Sequence, residues 1–359
     1  MAQDFIVNRA DLREAKLVDA PNADLQDGQV LLEVERFALT ANNISYGMAG
    51  DMLGYWNFFP AADGWGRIPA WGIARVIKSA HADIAEGTRF YGYMPMSHQV
   101  VMTPVNVSAR GFSDGADHRA QLPPIYQEYV AVTPENGFDP STDDLQCILH
   151  ILFVTSMHLD DHLAAHDYFN ANTLIIGSAS SKTGIGLAWL AAKRPGLRVV
   201  GLTSAGNKAF VEGLGCYDTV LGYDAISSLD ASAPSVYVDM SGNKAVLTQV
   251  HSHLRDTLKN STGVGLTHWE SAAAPDAAEE LPGPTPDFFF VPTHMVEHRE
   301  RQGLAAHDAR ISAGAAAFYD FIGPHLAITP HSFADMEKTY ASLLGGLSPT
   351  AGHMVTVTA

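Results

Sequence analysis

Residues 173–187 read TLIIGSASSKTGIGL: an apolar run, a turn of glycine and hydroxyl residues, then a second apolar stretch. A strand–turn–helix unit of this kind directs backbone amides and the positive end of a helix toward one point, which suits a pyrophosphate. Gly177 permits the tight turn, and Gly184 and Gly186 allow close approach of helix and sheet. Ser178, Ser180, Ser181 and Thr183 add hydroxyls, and Lys182 adds a cation that could contact a phosphate. The spacing is not G-x-G-x-x-G, and an ordinary helix-capping turn uses the same residue types. The next strand favours the first. Residues 198–208 read RVVGLTSAGNK. An NAD-selective site carries an acid here to accept the ribose hydroxyls. Thr203, Ser204, Asn207 and Lys208 stand there instead, and donors with positive charge suit the 2′-phosphate of NADP(H). Tyr223, after the third strand, could close over the same phosphate.

The elements that would position these residues follow from hydrophobic periodicity. The first 140 residues hold short alternating segments punctuated by Gly, Pro and Asn, as in a β-rich domain. Strands are expected over 29–38, 72–79 and 89–93, with a turn at Glu86-Gly87. An aromatic loop over 43–72 carries Tyr46, Tyr55, Trp56, Phe58, Phe59, Trp65 and Trp71, and 104–124 reads as irregular and polar. From about 141 the pattern changes. One or two helices over 141–163, capped by Ser141 or Thr142, precede alternating strands and helices. Strands are expected at 173–176, 198–203, 219–221, 235–240 and 263–267, with helices at 184–193, 208–214 and 244–257. Residues 271–286 read as a surface loop and 288–291 as a buried strand. Helices at 308–322 and 333–344 and a strand at 353–357 close the chain. The alternation marks a doubly wound parallel sheet. The expected division is 1–140 together with 310–359 as one domain, with 141–309 as a Rossmann NADP(H)-binding domain inserted between them.

Composition narrows the function classes. The chain has 359 residues, 39 acids against 22 bases and a net charge of −17, a surface that repels nucleic acid. No apolar run is long enough to cross a membrane and the N-terminus has no signal-peptide core, so a cytoplasmic protein is expected. Two cysteines, Cys147 and Cys216, supply neither a disulfide framework nor a four-cysteine zinc lobe, and read as small buried hydrophobes. His158, His162 and His166 recur every four residues beside Asp160 and Asp161; a solvated helix face is the expected reading, and no metal is assigned. The partner called for is a small-molecule substrate, and a homodimer is compatible with the sequence.

GSASSKTGIG, VVGLTSAGNKAFVEGLGCYDTVLGYD and VDMSGN resemble the cofactor domain of quinone oxidoreductases and enoyl reductases of the medium-chain dehydrogenase/reductase superfamily. IPAWGIARVIKSAHADIAEGTRFYGY is similar to the strand–turn–strand of their GroES-like domain, with Gly87-Thr88-Arg89 where that domain has Gly-Asp-Arg. LTANNISYG, GYWNFFP, WGRIPAWG and YGYMPMS resemble, more narrowly, a bacterial branch classed as a domain of unknown function. The resemblance implies an α/β chain: a GroES-like β-rich catalytic domain plus a Rossmann doubly wound parallel-sheet domain. It adds Ser241 and Gly242 of VDMSGN to the cofactor residues. The cysteine–histidine pair and cysteine lobe of zinc alcohol dehydrogenases are missing, so zinc-independent chemistry is expected.

The resemblance further implies that substrate sits between the nicotinamide and the segment after the first long strand, near Asn43, Ser45 and Tyr46. Tyr46 could give a proton to a developing oxyanion or enolate while the Asn43 amide holds it. Tyr55, Trp56, Phe58 and Phe59 would line a pocket for a flat, bulky ligand or form the core of their loop. His118, Arg119 and Tyr126 would recognise a carboxylate or phenol. The expected function is an NADP(H)-dependent oxidoreductase acting on a carbonyl or activated alkene of a bulky, aromatic small molecule. The alternatives are a redox-neutral carbon–carbon lyase releasing a small aldehyde from an aryl substrate with tightly bound NADP, and a non-enzymatic NADPH-binding sensor.

Overall fold

In the computed structural model, which describes residues 2–21, 24–264 and 281–358, the chain forms two units. One holds the residues up to Ile148 and those from Ala327 onward; the other runs from Leu149 to Leu326.

The first unit is built mainly of antiparallel strands. In chain order these are β1 (Gln3–Asn8), β2 (Ala15–Asp19), β3 (Val30–Leu39), helix α1 (Ala41–Met48), β4 (Trp65–Gly66), β5 (Pro69–Ser79), β6 (Arg89–Pro95), β7 (Gln99–Met102), β8 (Pro104–Ser108), β9 (Gly111–Asp114) and β10 (Glu128–Ala131). Long strand β3 is the hub, pairing with both β5 and β7. Its apolar residues enter the core, while Glu33 faces Arg75 across the ladder, 3.2 Å away. The stretch 104–124, expected to be irregular, begins with the hairpin β8–β9. Val105 and Phe112 supply its β-formers, but the polar residues around them hid the alternation.

Helix α2 (Asp143–Ala165) carries the chain into the second unit. There follow β11 (Thr173–Gly177), α3 (Lys182–Ala191), β12 (Arg198–Thr203), α4 (Lys208–Gly213), β13 (Thr219–Gly222), β14 (Ser235–Asp239), α5 (Lys244–Leu254), β15 (Leu258–Gly263), β16 (Asp287–Phe288), α6 (Val291–Gln302) and α7 (Leu304–Ile322). The six strands are all parallel in the order β13-β12-β11-β14-β15-β16, the Rossmann arrangement, and the order reverses between β11 and β14. Ile175, Val200, Leu202 and Tyr237 pack with Val250 and Leu254 into one core. Then β17 (Ala327–Ser332), α8 (Met336–Leu344) and β18 (Ala351–Thr356) return to the first unit, where β18 lies antiparallel to β3.

Three expectations in the second unit are corrected. The fifth parallel strand is Leu258–Gly263, earlier than 263–267; positions 265–267 and most of the 271–286 loop lie outside the described residues. The 288–291 run is not a buried strand. Only Asp287–Phe288 pair, Phe288 is 57% exposed, and Val291-Pro292 begin helix α6, where proline fits the first turn. The histidine row on α2 is not a solvated face, because α6 and α7 cover part of it: His158 is 0% exposed, His162 half-buried and His166 exposed. Both cysteines are buried, and burial pushes the Cys216 thiol up to about 12, so neither is a reactive thiolate at neutral pH.

Candidate functional site

At the carboxyl end of β11 the backbone turns sharply. Ser178 sits at φ +52°, a left-handed conformation that glycine adopts more readily. Gly177 has no room for a side chain, since a Cβ would lie 2.5 Å from the Tyr237 hydroxyl. Ser181 caps α3 by accepting the Gly184 amide at 3.1 Å, a real helix start with its dipole directed into the turn. Gly186 serves a neighbour other than the sheet. A Cβ there would meet Ser156 Oγ on α2 at 2.5 Å, and that hydroxyl donates to Thr183 O at 2.8 Å, fastening α3 to α2.

The strand ends converge on this turn. Thr203 and Ser241 are buried, and Asn207 Nδ2 donates to Ser180 Oγ at 3.1 Å. Ser241 donates to Asp239 Oδ1 at 2.6 Å, which fixes the loop through Gly242 (φ +65°). Tyr223 packs beside Ser178, whose backbone hydrogen-bonds its hydroxyl. Ser204 is exposed, and Lys208, 43% exposed, pairs with Glu212 at 2.6 Å, a surface pair of the kind worth about 0–1 kcal/mol and easily exchanged. No acid occupies the end of β12. Every residue assigned from sequence to the cofactor therefore lies at the carboxyl edge of β11–β14, flanking the point where strand order reverses.

Lys182, half-buried at the first position of α3, is pushed down to about 8 by desolvation. A bound phosphate would restore its charge, so between pH 8 and 10 the free protein has a neutral amine and the complex an ammonium. Calorimetry of NADPH binding at pH 8.5 in buffers of different ionisation enthalpy should therefore show net proton uptake, vanishing at pH 7. Lys182→Met should abolish it; uptake retained in that variant would remove Lys182 from the phosphate grip.

The first unit holds a second constellation. Tyr46, on α1, is 4% exposed and sits among Tyr55, Tyr93 and Tyr126, with ring centroids 4.8, 5.2 and 6.4 Å away. Its oxygen accepts from Asn42 Nδ2 at 2.7 Å and from Trp71 Nε1 at 3.0 Å. Burial raises its pKa, while both N–H donors act to lower it. With two hydrogen bonds accepted, the hydroxyl keeps its own proton to give. Asn42 was not singled out in the sequence, where its i, i+4 spacing from Tyr46 was the signal available, and Trp71 was named only among the aromatic residues of the loop.

Other residues assigned to substrate are engaged elsewhere. Asn43 accepts the Thr40 amide at 2.7 Å and donates to Pro69 O at 2.9 Å, so its amide caps α1 and has no oxyanion to hold. Trp56, 3% exposed, fills the gap between Gly50 and Gly66, where a Cβ would lie 2.2 and 2.3 Å from its indole. Arg119 is 1% exposed and pairs with Asp114 at 2.8 Å, donating also to Phe58 O and Tyr129 Oη; Phe59 stacks on its guanidinium. It neutralises an internal acid rather than a ligand. Tyr55 and Tyr126 stay with Tyr46, their hydroxyls 3.4 Å apart. His118 remains half-buried, its Nε2 3.3 Å from Phe58 O, and burial with the Arg119 charge lowers its pKa.

Residues 37–347 match the family described as "Protein of unknown function (DUF2855)". No curated protein matches the sequence. Among solved structures, CurA from Vibrio vulnificus in complex with NADPH superposes with a TM-score of 0.66 at 14% identity, covering 99% of each chain. The yhdH oxidoreductase from Salmonella enterica in complex with NADP gives 0.56 at 16%, covering 99% of this chain and 100% of that one. A mutant enoyl thioester reductase from Candida tropicalis gives 0.54 at 10%, covering 99% of both. At these identities the likeness establishes a shared fold and no more.

Proposed function

Because the chain belongs to the DUF2855 family, whose description assigns no reaction, we propose from its own residues that it is an NADP(H)-dependent reductase of a carbonyl or activated alkene on a bulky, aromatic small molecule. The observation that carries this reading is the Tyr46 hydroxyl, held by two N–H donors with its proton unassigned, in a chain that also has an acid-free Rossmann turn. NADP(H) and NADP in two solved structures of the same fold support the choice of cofactor.

The glycine-walled turn at 177–186 fits a pyrophosphate, and Ser204 with Lys208 fits the 2′-phosphate. NADPH held there supplies a hydride. Tyr46 gives its proton to the oxygen or carbon that gains negative charge, and the Asn42 and Trp71 donors then stabilise the phenolate. The tyrosine cluster favours an aryl group through edge and face contacts.

Absorbance at the reduced-nicotinamide band tests the reading as candidate ketones, quinones and enones are added. Stoichiometric consumption supports it; product without net consumption, or no turnover at all, overturns it. Cofactor choice is a separate expectation. Lys208→Ala should weaken NADPH binding by about 1–3 kcal/mol, the scale of a charge-assisted hydrogen bond, and leave NADH binding unchanged. Equal affinity of the parent for both cofactors by calorimetry would defeat it.

A further inference from the structure

Helices α2, α6 and α7 bring four metal-ligating side chains together in the second unit. His158 and Asp161 come from one face of α2, three residues apart. His298 comes from α6 and His307 from α7. One donor atom from each of His158, Asp161 and His298 lies within 4.8 Å of the other two. His298 Nδ1 is 3.6 Å from Asp161 Oδ2, while His307 Nε2 lies outside that group, hydrogen-bonded to His158 Nε2 at 3.1 Å. Tetrahedral ligands about 2.0–2.1 Å from a zinc ion stand about 3.3–3.4 Å apart, so the first separation is close to the edge of such a site.

Burial makes this grouping costly without a ligand. His158 is 0% exposed, His307 1% and His298 9%. His158 Nδ1 and His298 Nδ1 are buried with no hydrogen-bond partner, an unusual and destabilising state for an imidazole. Desolvation by burial holds His158 and His298 below the usual imidazole range. Asp308 lies 3.2 Å from His307 Nδ1, and His307 Nε2 is the hydrogen-bond partner of His158 Nε2, so His307 orients the His158 ring and leaves its Nδ1 to face a ligand. The facing charges are Arg310 on Asp161 and Arg299 near Asp308 at 3.7 Å, and a bound cation would compete with Arg310 for Asp161.

We propose that His158, Asp161 and His298 form a binding site for one borderline divalent cation of the zinc class, tying α2 to α6. Two imidazoles and one carboxylate favour zinc, cobalt or nickel over magnesium or calcium. Three protein ligands leave the fourth tetrahedral position to water.

Cobalt(II) is the probe. The full-length protein, stripped with chelator, should bind one equivalent, develop the visible ligand-field bands of tetrahedral cobalt, gain thermal stability, and lose the bands when zinc is added. His298→Gln should abolish the bands. Asp161→Asn, at a side chain 21% exposed, keeps the fold testable and should weaken cobalt binding at least tenfold. His331→Gln, which removes the separate pair of His331 Nε2 and His353 Nδ1 at 2.8 Å, should change nothing. Absence of tetrahedral bands at one equivalent overturns the site. So does binding that survives both Asp161→Asn and His298→Gln, or is lost in His331→Gln.

Discussion

Tyr46→Phe is expected to lower kcat by about 10²–10⁴-fold, the usual contribution of a positioned general acid, with NADPH affinity unchanged. The ring stays in its contacts with Tyr55 and Tyr93; only the oxygen goes. Its loss leaves the Trp71 indole N–H and the Asn42 amide without their acceptor, costing about 1–3 kcal/mol of stability. A modest drop in melting temperature should accompany the large drop in turnover. Tyr46→Ala should instead destabilise by about 3–5 kcal/mol, as loss of a large buried aromatic does. Steady-state kinetics alongside thermal melts of the pair separate chemistry from packing. If Tyr46→Phe turns over at the parental rate, Tyr46 is a packing residue and the donor must be sought at the Tyr55–Tyr126 hydroxyl pair.

Arg119→Met should cost about 3–5 kcal/mol, the penalty for leaving a buried acid without its counter-charge. Asp114 is 1% exposed, and its other oxygen already accepts the Thr103 and Ala116 amides at 2.9 and 3.2 Å. It cannot turn to water. The same substitution removes the donors to Phe58 O and Tyr129 Oη, so the aromatic loop loses its fastening to the β9–β10 connection. Arg119→Met/Asp114→Asn should recover a large part of the loss by deleting both charges while keeping an acceptor for the two amides. Urea unfolding of the single and double variants measures this. A single variant within about 1 kcal/mol of the parent would show that the pair is not the structural centre of the loop.

The second unit was the more legible half. Its strands carry continuous apolar runs such as Leu174–Ile176, and its cofactor turn concentrates glycine and hydroxyl residues, so local sequence and global fold agree. The polar helix α6 was missed because PTHMVEHRERQ has little apolar periodicity, yet it buries His298 and Met295. In the first unit the aromatic residues of 43–72 were visible but their duties were not. Trp56 and Trp71 are equally hydrophobic in sequence; one fills a gap between two glycines and the other hydrogen-bonds Tyr46. Arg119 read as a substrate-recognition residue because its partner, Asp114, shows itself only once the strands are assembled. Long-range pairings of buried polar groups leave no periodic mark on the chain.

The antiparallel ladder of β18 on β3 places Met354 against Ala38 and Val355 against Phe37. On a ribosome adding about 5–20 residues per second, β3 waits roughly 16–60 s for β18 to be made. Every strand of the parallel sheet has been made by Phe288, so that unit can fold while the sheet beside Tyr46 is still incomplete. During that interval β3 keeps an unpaired edge, the kind of template that recruits other chains. The closing strand thus makes completion of the sheet beside Tyr46 a late event in biosynthesis, after every strand of the parallel sheet has been made.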